Sequence, residues 1–345
     1  MVLVFRPAVD AMLLAFLLFF LSAAAIYFAC EFFVNGIEWT GCRLNLGTTA
    51  VGTVLAAFGT ALPESAVTFM AVMFGGSPER KDVGVGAALG GPLVLATVAY
   101  AVVGLAVLYR ACRRRAEPCS LVADQPRLAS DQAWFMVIFV AKVGLGLLVF
   151  AWKPWLGLLF LAAYGIYVWH ELKAEDETLD AGGLEPLRLR PRDPQPSLAW
   201  ALLQTVLALL VIAWASHVFV GQIYAIGVWA GMPARMAALL LSPVATELPE
   251  IMNALIWVRQ GRERLALANI SGAMMIQATI PSALAIFMTP WRLDAPLLVA
   301  AGLTMASIAF LWSRFRRGGM RAGSLAAVGL LYLVFAAYIV AYLDA

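Results

Sequence analysis

Three glutamates could do chemistry: Glu64, in GTALPES (Gly59 to Ser65), and Glu247 and Glu250, in ATELPEI (Ala245 to Ile251). Both stretches lie inside long apolar runs, and in each a proline, Pro63 or Pro249, directly precedes a glutamate. Ionisable residues at membrane depth are costly and face a cavity or a partner. Proline has no N–H, so the carbonyl four residues earlier, that of Gly59 or Ala245, loses its helical partner. A freed carbonyl in a membrane is tolerated only where it lines a cavity or another group satisfies it. Thr60 and Thr246, three residues before the prolines, add hydroxyls on nearly the same face. Hydroxyl, bare carbonyl and carboxylate together form an oxygen-only donor set, which suits hard cations such as Na⁺ and Ca²⁺. Glu247 and Glu250 are i,i+3 neighbours, and two carboxylates that close do not both ionise cheaply without a cation. Divalent binding and proton shuttling by one glutamate both follow, and the sequence leaves the two open.

The elements that must carry these residues are membrane helices. The 345-residue chain is 63% hydrophobic and 13% charged, whereas soluble domains are about a quarter charged. About 20 apolar residues cross the hydrocarbon core as a helix. Ten such segments are expected, near 11–38, 47–74, 83–109, 132–151, 154–172, 198–228, 235–259, 264–288, 295–313 and 323–343. The first has no cleavable-signal pattern and reads as a retained transmembrane helix. The polar stretch 173–197, rich in Pro, Gly and charge, reads as a solvated linker. It divides the chain into a five-helix unit, 1–172, and a second, 198–345. With both termini outside, 17 of the 24 lysines and arginines fall in cytoplasmic loops, six fall on the other side, and Lys142 lies within a span. The positive-inside rule therefore predicts outside termini and a cytoplasmic linker. The arginine clusters read as membrane anchors, with no nucleic-acid partner. The four cysteines have neither metal-ligand nor paired-disulfide spacing, and no cofactor is expected.

The two halves repeat. ACEFFVNG (Ala29 to Gly36) matches ASHVFVGQ (Ala215 to Gln222), and GTALPES matches ATELPEI, both at an offset of 186 residues. Five helices per half is an odd number, so the second half enters from the opposite face. The expected fold is therefore all-α and polytopic, with ten transmembrane helices in two inverted five-helix repeats. Transporters of this kind bind substrate near the bilayer midplane, at the repeat interface.

These residues resemble the α-repeats of the cation/calcium exchanger superfamily, of the sodium/calcium exchanger type. The family's G-T-S-x-P-E stretch is matched by GTALPES and ATELPEI. Its second, G-N-x-x-G-S-N-like stretch is matched by LALANISGAMMIQAT (Leu265 to Thr279) and weakly by DVGVGAALGGPL (Asp82 to Leu93). The resemblance implies a plasma-membrane (inner-membrane) antiporter exporting Ca²⁺ or a related cation against Na⁺, or alternatively H⁺, with the first and sixth helices sliding past a fixed core. It implies Thr60, Glu64, Thr246, Glu250 and Asn269 as ion ligands. The chain departs from the pattern in having Ala61 and Glu247 where the family has Ser after Thr. Gly91, Pro92, Ala273 and Met274 stand where the family has polar pairs, so the third helix is stripped of side-chain ligands. Glu247 keeps the acid count at three.

Other polar residues have two readings each. Glu31, Asn35 and Glu38 share one face of the first helix and either line the ion pathway or sit in water near its end. His217 is either an interhelical hydrogen bonder or a proton relay. Ser271 and Gln277 are further pathway candidates. Lys142 must pair with an acid or snorkel out, and a lysine reaching the core would take the place of a cation's charge. An intramembrane hydrolase using Glu247, Glu250 and His217 lacks H-E-x-x-H spacing and has no need of a symmetric Glu64. A non-transporting sensor is a further alternative.

Overall fold

The computed structural model describes residues 2–44, 56–114, 123–173 and 184–344. The chain is all-helical: α1 (Val2–Arg43), α2 (Ala56–Phe74), α3 (Pro78–Val94), α4 (Tyr100–Arg114), α5 (Gln125–Leu147), α6 (Gly157–Lys173), α7 (Leu198–Trp229), α8 (Ala234–Thr246), α9 (Leu248–Arg259), α10 (Glu263–Met288), α11 (Ala295–Arg316), α12 (Ala322–Ala327) and α13 (Gly329–Leu343). A π-helical turn, Leu95–Ala99, joins α3 to α4 in one span, three residues beyond Pro92. Among the described residues seven helical segments are long and apolar enough to cross a membrane, and eight if the bent pair α8 and α9 counts as one.

Local chemistry sets the helix starts. Ser77, Asp124 and Asp294 each cap a helix by accepting a backbone N–H three residues on, at 3.3 Å. Each is followed by a proline in the first turn, where the missing N–H costs nothing. The core forms around α10, whose most apolar window is 78% buried and which packs against α2, α3, α5, α6 and α9. The outer faces of the long helices are apolar and exposed, as with Leu203, Val206, Leu210 and Trp214 of α7, which is the surface lipid requires.

Small residues set the closest helix contacts. A Cβ on Gly86 or Gly90 of α3 would meet the backbone carbonyl of Arg235 or Leu239 in α8. On the other side α1 packs along α7, with Phe19 stacked on Phe219 at 4.8 Å between ring centroids. Three ion pairs tie helix ends together. Arg110 of α4 pairs with Glu263 of α10, and Arg235 of α8 pairs with Asp82 of α3 and Asp294.

Residues 184–197 are mostly exposed, as expected of a linker, but the segment is also docked on the helices. Asn35 Oδ1 accepts the Arg188 backbone N–H at 3.0 Å, Trp39 Nε1 donates to Glu185 O at 2.8 Å, and Arg43 Nε donates to Pro196 O at 2.7 Å. Leu187 is fully buried against Trp39 and Ala201. A Pro/Gly-rich composition signals lack of helix, not lack of docking. The polar side chains of α1 satisfy this segment's backbone groups, as buried peptide groups require.

Candidate functional site

Glu64 sits on α2, which continues as a helix through Pro63. Glu247 and Glu250 sit where α8 gives way to α9 across a bend of 41°. The two proline stretches are thus not equally broken. In the second, Pro243 lies within α8 and Pro249 in the first turn of α9, so backbone hydrogen bonds are lost on both sides of Glu247. Glu64, Glu247 and Glu250 are all buried, at 1%, 0% and 0% exposure.

The Glu64 carboxyl and Gln277 Oε1 converge on one point beside Gly91 of α3, and Gln277 also holds Glu247, with Glu250 buried one turn further on. Glu247 is held on both oxygens: Thr246 Oγ1 donates to Oε1 and Gln277 Nε2 donates to Oε2, each at 2.7 Å. Glu64 and Glu250 are held by nothing. All four of their carboxyl oxygens are buried without a hydrogen-bond partner, as are Gln277 Oε1, Ser242 Oγ and Asn269 Nδ2. Buried polar atoms are almost always paired, and an unpaired buried carboxylate is very costly. So many orphaned oxygens in one place are what a cation or protons would satisfy. Among the described residues no three His, Cys, Asp or Glu side chains form a closed metal cluster, so a cation here would also need hydroxyl, amide or main-chain oxygens.

Gly91 of α3 makes room for this arrangement. A Cβ there would run into Glu64 Oε2, with Glu64 Cδ at 2.7 Å and Gln277 Oε1 at 2.9 Å. The position that lacks a polar ligand thus provides space for one from α2. A 410 Å³ cavity on the α1 side is lined by Pro63, Pro249 and Asn269 and by Glu31, Asn35, Glu38, Glu185 and Arg188.

The predicted residues divide accordingly. Glu64, Thr246, Glu247, Glu250 and Gln277 come together, and Ala245 is buried beside them in α8. Asn269 lines the cavity next to them. Gly59 and Thr60 fall in the stretch 56–60, whose side chains lie outside the described residues. Glu31 and Asn35 line the outer cavity but are committed elsewhere: Glu31 to Arg188 at 2.8 Å, Asn35 to the 184–188 backbone and Gln204. Ser271 points away from the glutamates and donates to Asp131 Oδ2 at 2.9 Å. His217 is exposed, one turn from the exposed Trp214, and does not join the buried cluster. Two features were not legible. Asp131, one residue before an expected span, is buried at 6% beside α10. Lys142 does not snorkel: it is fully buried, as described below.

Comparison with known proteins identifies the family. The model of the sodium/calcium exchanger protein family matches residues 14–173 and 200–341. The chain belongs to the sodium/calcium exchanger family. This exchanger-family protein is a multi-pass membrane transporter and not an enzyme. Inner membrane protein YrbG of Escherichia coli (strain K12) is 26% identical over 302 residues, covering 84% of this chain and 86% of YrbG. The crystal structure of the H⁺/Ca²⁺ exchanger CAX superposes with a TM-score of 0.74 at 19% identity, covering 96% of this chain and 87% of that one. The sodium-calcium exchanger NCX_Mj superposes with a TM-score of 0.58 at 17% identity, over 94% of this exchanger and 99% of NCX_Mj. At those identities the two structures speak for the fold.

Proposed function

We propose that this exchanger-family protein is an antiporter that moves Ca²⁺, or a related divalent cation, across the membrane against Na⁺ by alternating access. The observation that carries the reading is the set of four partnerless carboxyl oxygens on Glu64 and Glu250, buried together beside Glu247. Glu64, Glu247, Glu250 and Thr246 would be the central ligands, supplemented by Asn269, Gln277, Thr60 and the carbonyls of Gly59 and Ala245. Oxygen donors of this kind match hard cations. Exchange against H⁺ is the second reading. It is favoured by the placing of Glu64 and Glu247 around one Gln277 side chain, since acids gathered in one dry cavity accommodate a proton when no cation is bound.

The ten-span, two-repeat architecture is part of this proposal. Besides the eight spans counted with the bent pair, α2 and α6 supply two shorter ones. The 186-residue offset between the P-E motifs supports division into 1–172 and 198–345. The distribution of basic residues supports outside termini and a cytoplasmic 173–197 segment.

The purified protein in proteoliposomes should accumulate ⁴⁵Ca²⁺ when an outward Na⁺ gradient is imposed, at least tenfold above liposomes with no gradient. An H⁺ gradient doing so instead would select the second reading. Accumulation driven by neither, across Ca²⁺, Sr²⁺ and Mn²⁺, would exclude divalent antiport. Glu31→Gln should slow exchange less than about fivefold, because the Glu31–Arg188 bridge is partly solvated and such pairs contribute about 1 kcal/mol or less. Loss as complete as that of a central-site variant would make Glu31 a ligand.

A further inference from the structure

Lys142 lies in the C-terminal part of α5, in FVAKVGLG, and is fully buried. Its ammonium donates to the Ala88 carbonyl of α3 at 2.9 Å and to Ser282 Oγ of α10 at 3.0 Å, and it sits 4.6 Å from the Phe139 ring centroid. The backbone around it is fixed as well. Trp291 Nε1 donates to the Lys142 carbonyl at 2.8 Å, and Trp291, fully buried, is the one non-glycine residue with a positive φ, 45°, among the described residues. A lysine buried so deep is a liability unless its charge has a counterpart. Neither acceptor is an acid, but an acid rests against α3 one turn along. Ala88 is three residues before Gly91, and Gly91 is the residue against which the Glu64 carboxyl rests. Ser282, which takes a hydrogen bond from the ammonium, donates in turn to the backbone carbonyl of Gln277, the residue whose side-chain Nε2 donates to Glu247.

We propose that the Lys142 ammonium is a built-in counter-cation of the three-glutamate cavity, so that the cavity takes one divalent cation, or two monovalent ones, and no more. This rests on the antiport reading above. Three ionised carboxylates and one ammonium carry a net charge of −2. One divalent cation neutralises it, and so do two Na⁺ or two H⁺. Exchange of two monovalent ions for one divalent ion moves no net charge. Without Lys142 the same acids would carry −3, three monovalent ions would replace each divalent one, and each turnover would move one charge.

The test is steady-state ⁴⁵Ca²⁺ accumulation in proteoliposomes clamped with K⁺ and valinomycin at 0 and −100 mV, using the driving gradient that works for the wild type. Wild type should show less than a twofold difference between the two potentials. K142M should show a difference approaching about 50-fold, the effect of one elementary charge across 100 mV. If K142M exchanges and stays insensitive to potential, or if wild type is already sensitive by that factor, the proposal is overturned. A merely structural lysine would alter the rate and leave the dependence on potential unchanged. Should K142M fail to fold under its extra negative charge, E64Q/K142M carries the test, because it restores a charge of −2. The double variant should be recovered as a stable protein and bind Ca²⁺, by calorimetry, about tenfold more tightly than E64Q alone. Binding no tighter than that of E64Q overturns the proposal. Failure of the wild type to exchange any divalent ion would instead overturn the antiport reading beneath it.

Discussion

Glu250→Gln abolishes divalent exchange, by at least 100-fold in initial ⁴⁵Ca²⁺ flux, while leaving the protein as stable as the wild type or more so in the absence of divalent ions. The two halves of this expectation have one cause. In the ion-free protein both Glu250 oxygens are buried at full depth with no donor, so the carboxylate costs stability unless neutralised. Glutamine has the same shape and no charge, which removes that cost. It also removes an anionic oxygen from a cavity that has few other ligands. Glu64→Gln is expected to behave the same way, because its two oxygens are equally without partners. A ligand that binds only the native state stabilises by about 2.7 kcal/mol at one hundred times its Kd. Excess Ca²⁺ should therefore raise the unfolding midpoint of the detergent-solubilised wild type and shift that of either variant much less. A Glu250→Gln protein that transports normally would remove the glutamates from the ion path.

Much of this site could be read from the sequence, because prolines and carboxylates inside apolar runs have few innocent explanations. The expected segments 198–228 and 264–288 became α7 (Leu198–Trp229) and α10 (Glu263–Met288) almost unchanged, since their ends are marked by polar residues, Gly or Pro. Four things were less legible, each for a physical reason. The bend at Glu247 and the continuity at Pro63 come from the same motif, and only packing decides which helix yields. The docking of 184–197 depends on Asn35, Trp39 and Gln204, whose polar atoms meet that backbone only once α1 and α7 are side by side. Lys142 carries no local signal of where its ammonium goes. Its two hydrogen-bond acceptors lie 54 and 140 residues away in sequence. Gly91, which reads as the loss of a ligand, is understood only when the carboxyl group occupying its space is seen.

That last point yields a prediction that separates function from fold. Gly86, Gly90 and Gly91 lie in one short stretch of α3, and alanine at any of them adds a single methyl group. At Gly86 and Gly90 the methyl meets backbone, the carbonyls of Arg235 and Leu239. Backbone in a packed helix cannot step aside, so α3 and α8 must separate along their closest contact. Overpacking of this kind costs about 1–3 kcal/mol, and loss of close approach between small residues weakens the association of membrane helices. Gly86→Ala and Gly90→Ala should therefore lower the unfolding midpoint in detergent and reduce yield. At Gly91 the methyl meets the ends of two flexible side chains, the Glu64 carboxyl and Gln277 Oε1. These can rotate away, so the fold is spared, but the carboxyl leaves the place where it faces Glu247 and the Lys142 ammonium. Gly91→Ala should keep a midpoint within about two degrees of wild type and lose exchange by at least 30-fold, with Ca²⁺-dependent stabilisation lost in parallel. If Gly91→Ala transports at the wild-type rate, the Glu64 carboxyl does not need that space, and the site is organised around other atoms. If it unfolds like Gly86→Ala, the glycine serves helix packing, and the cavity is not the reason for it.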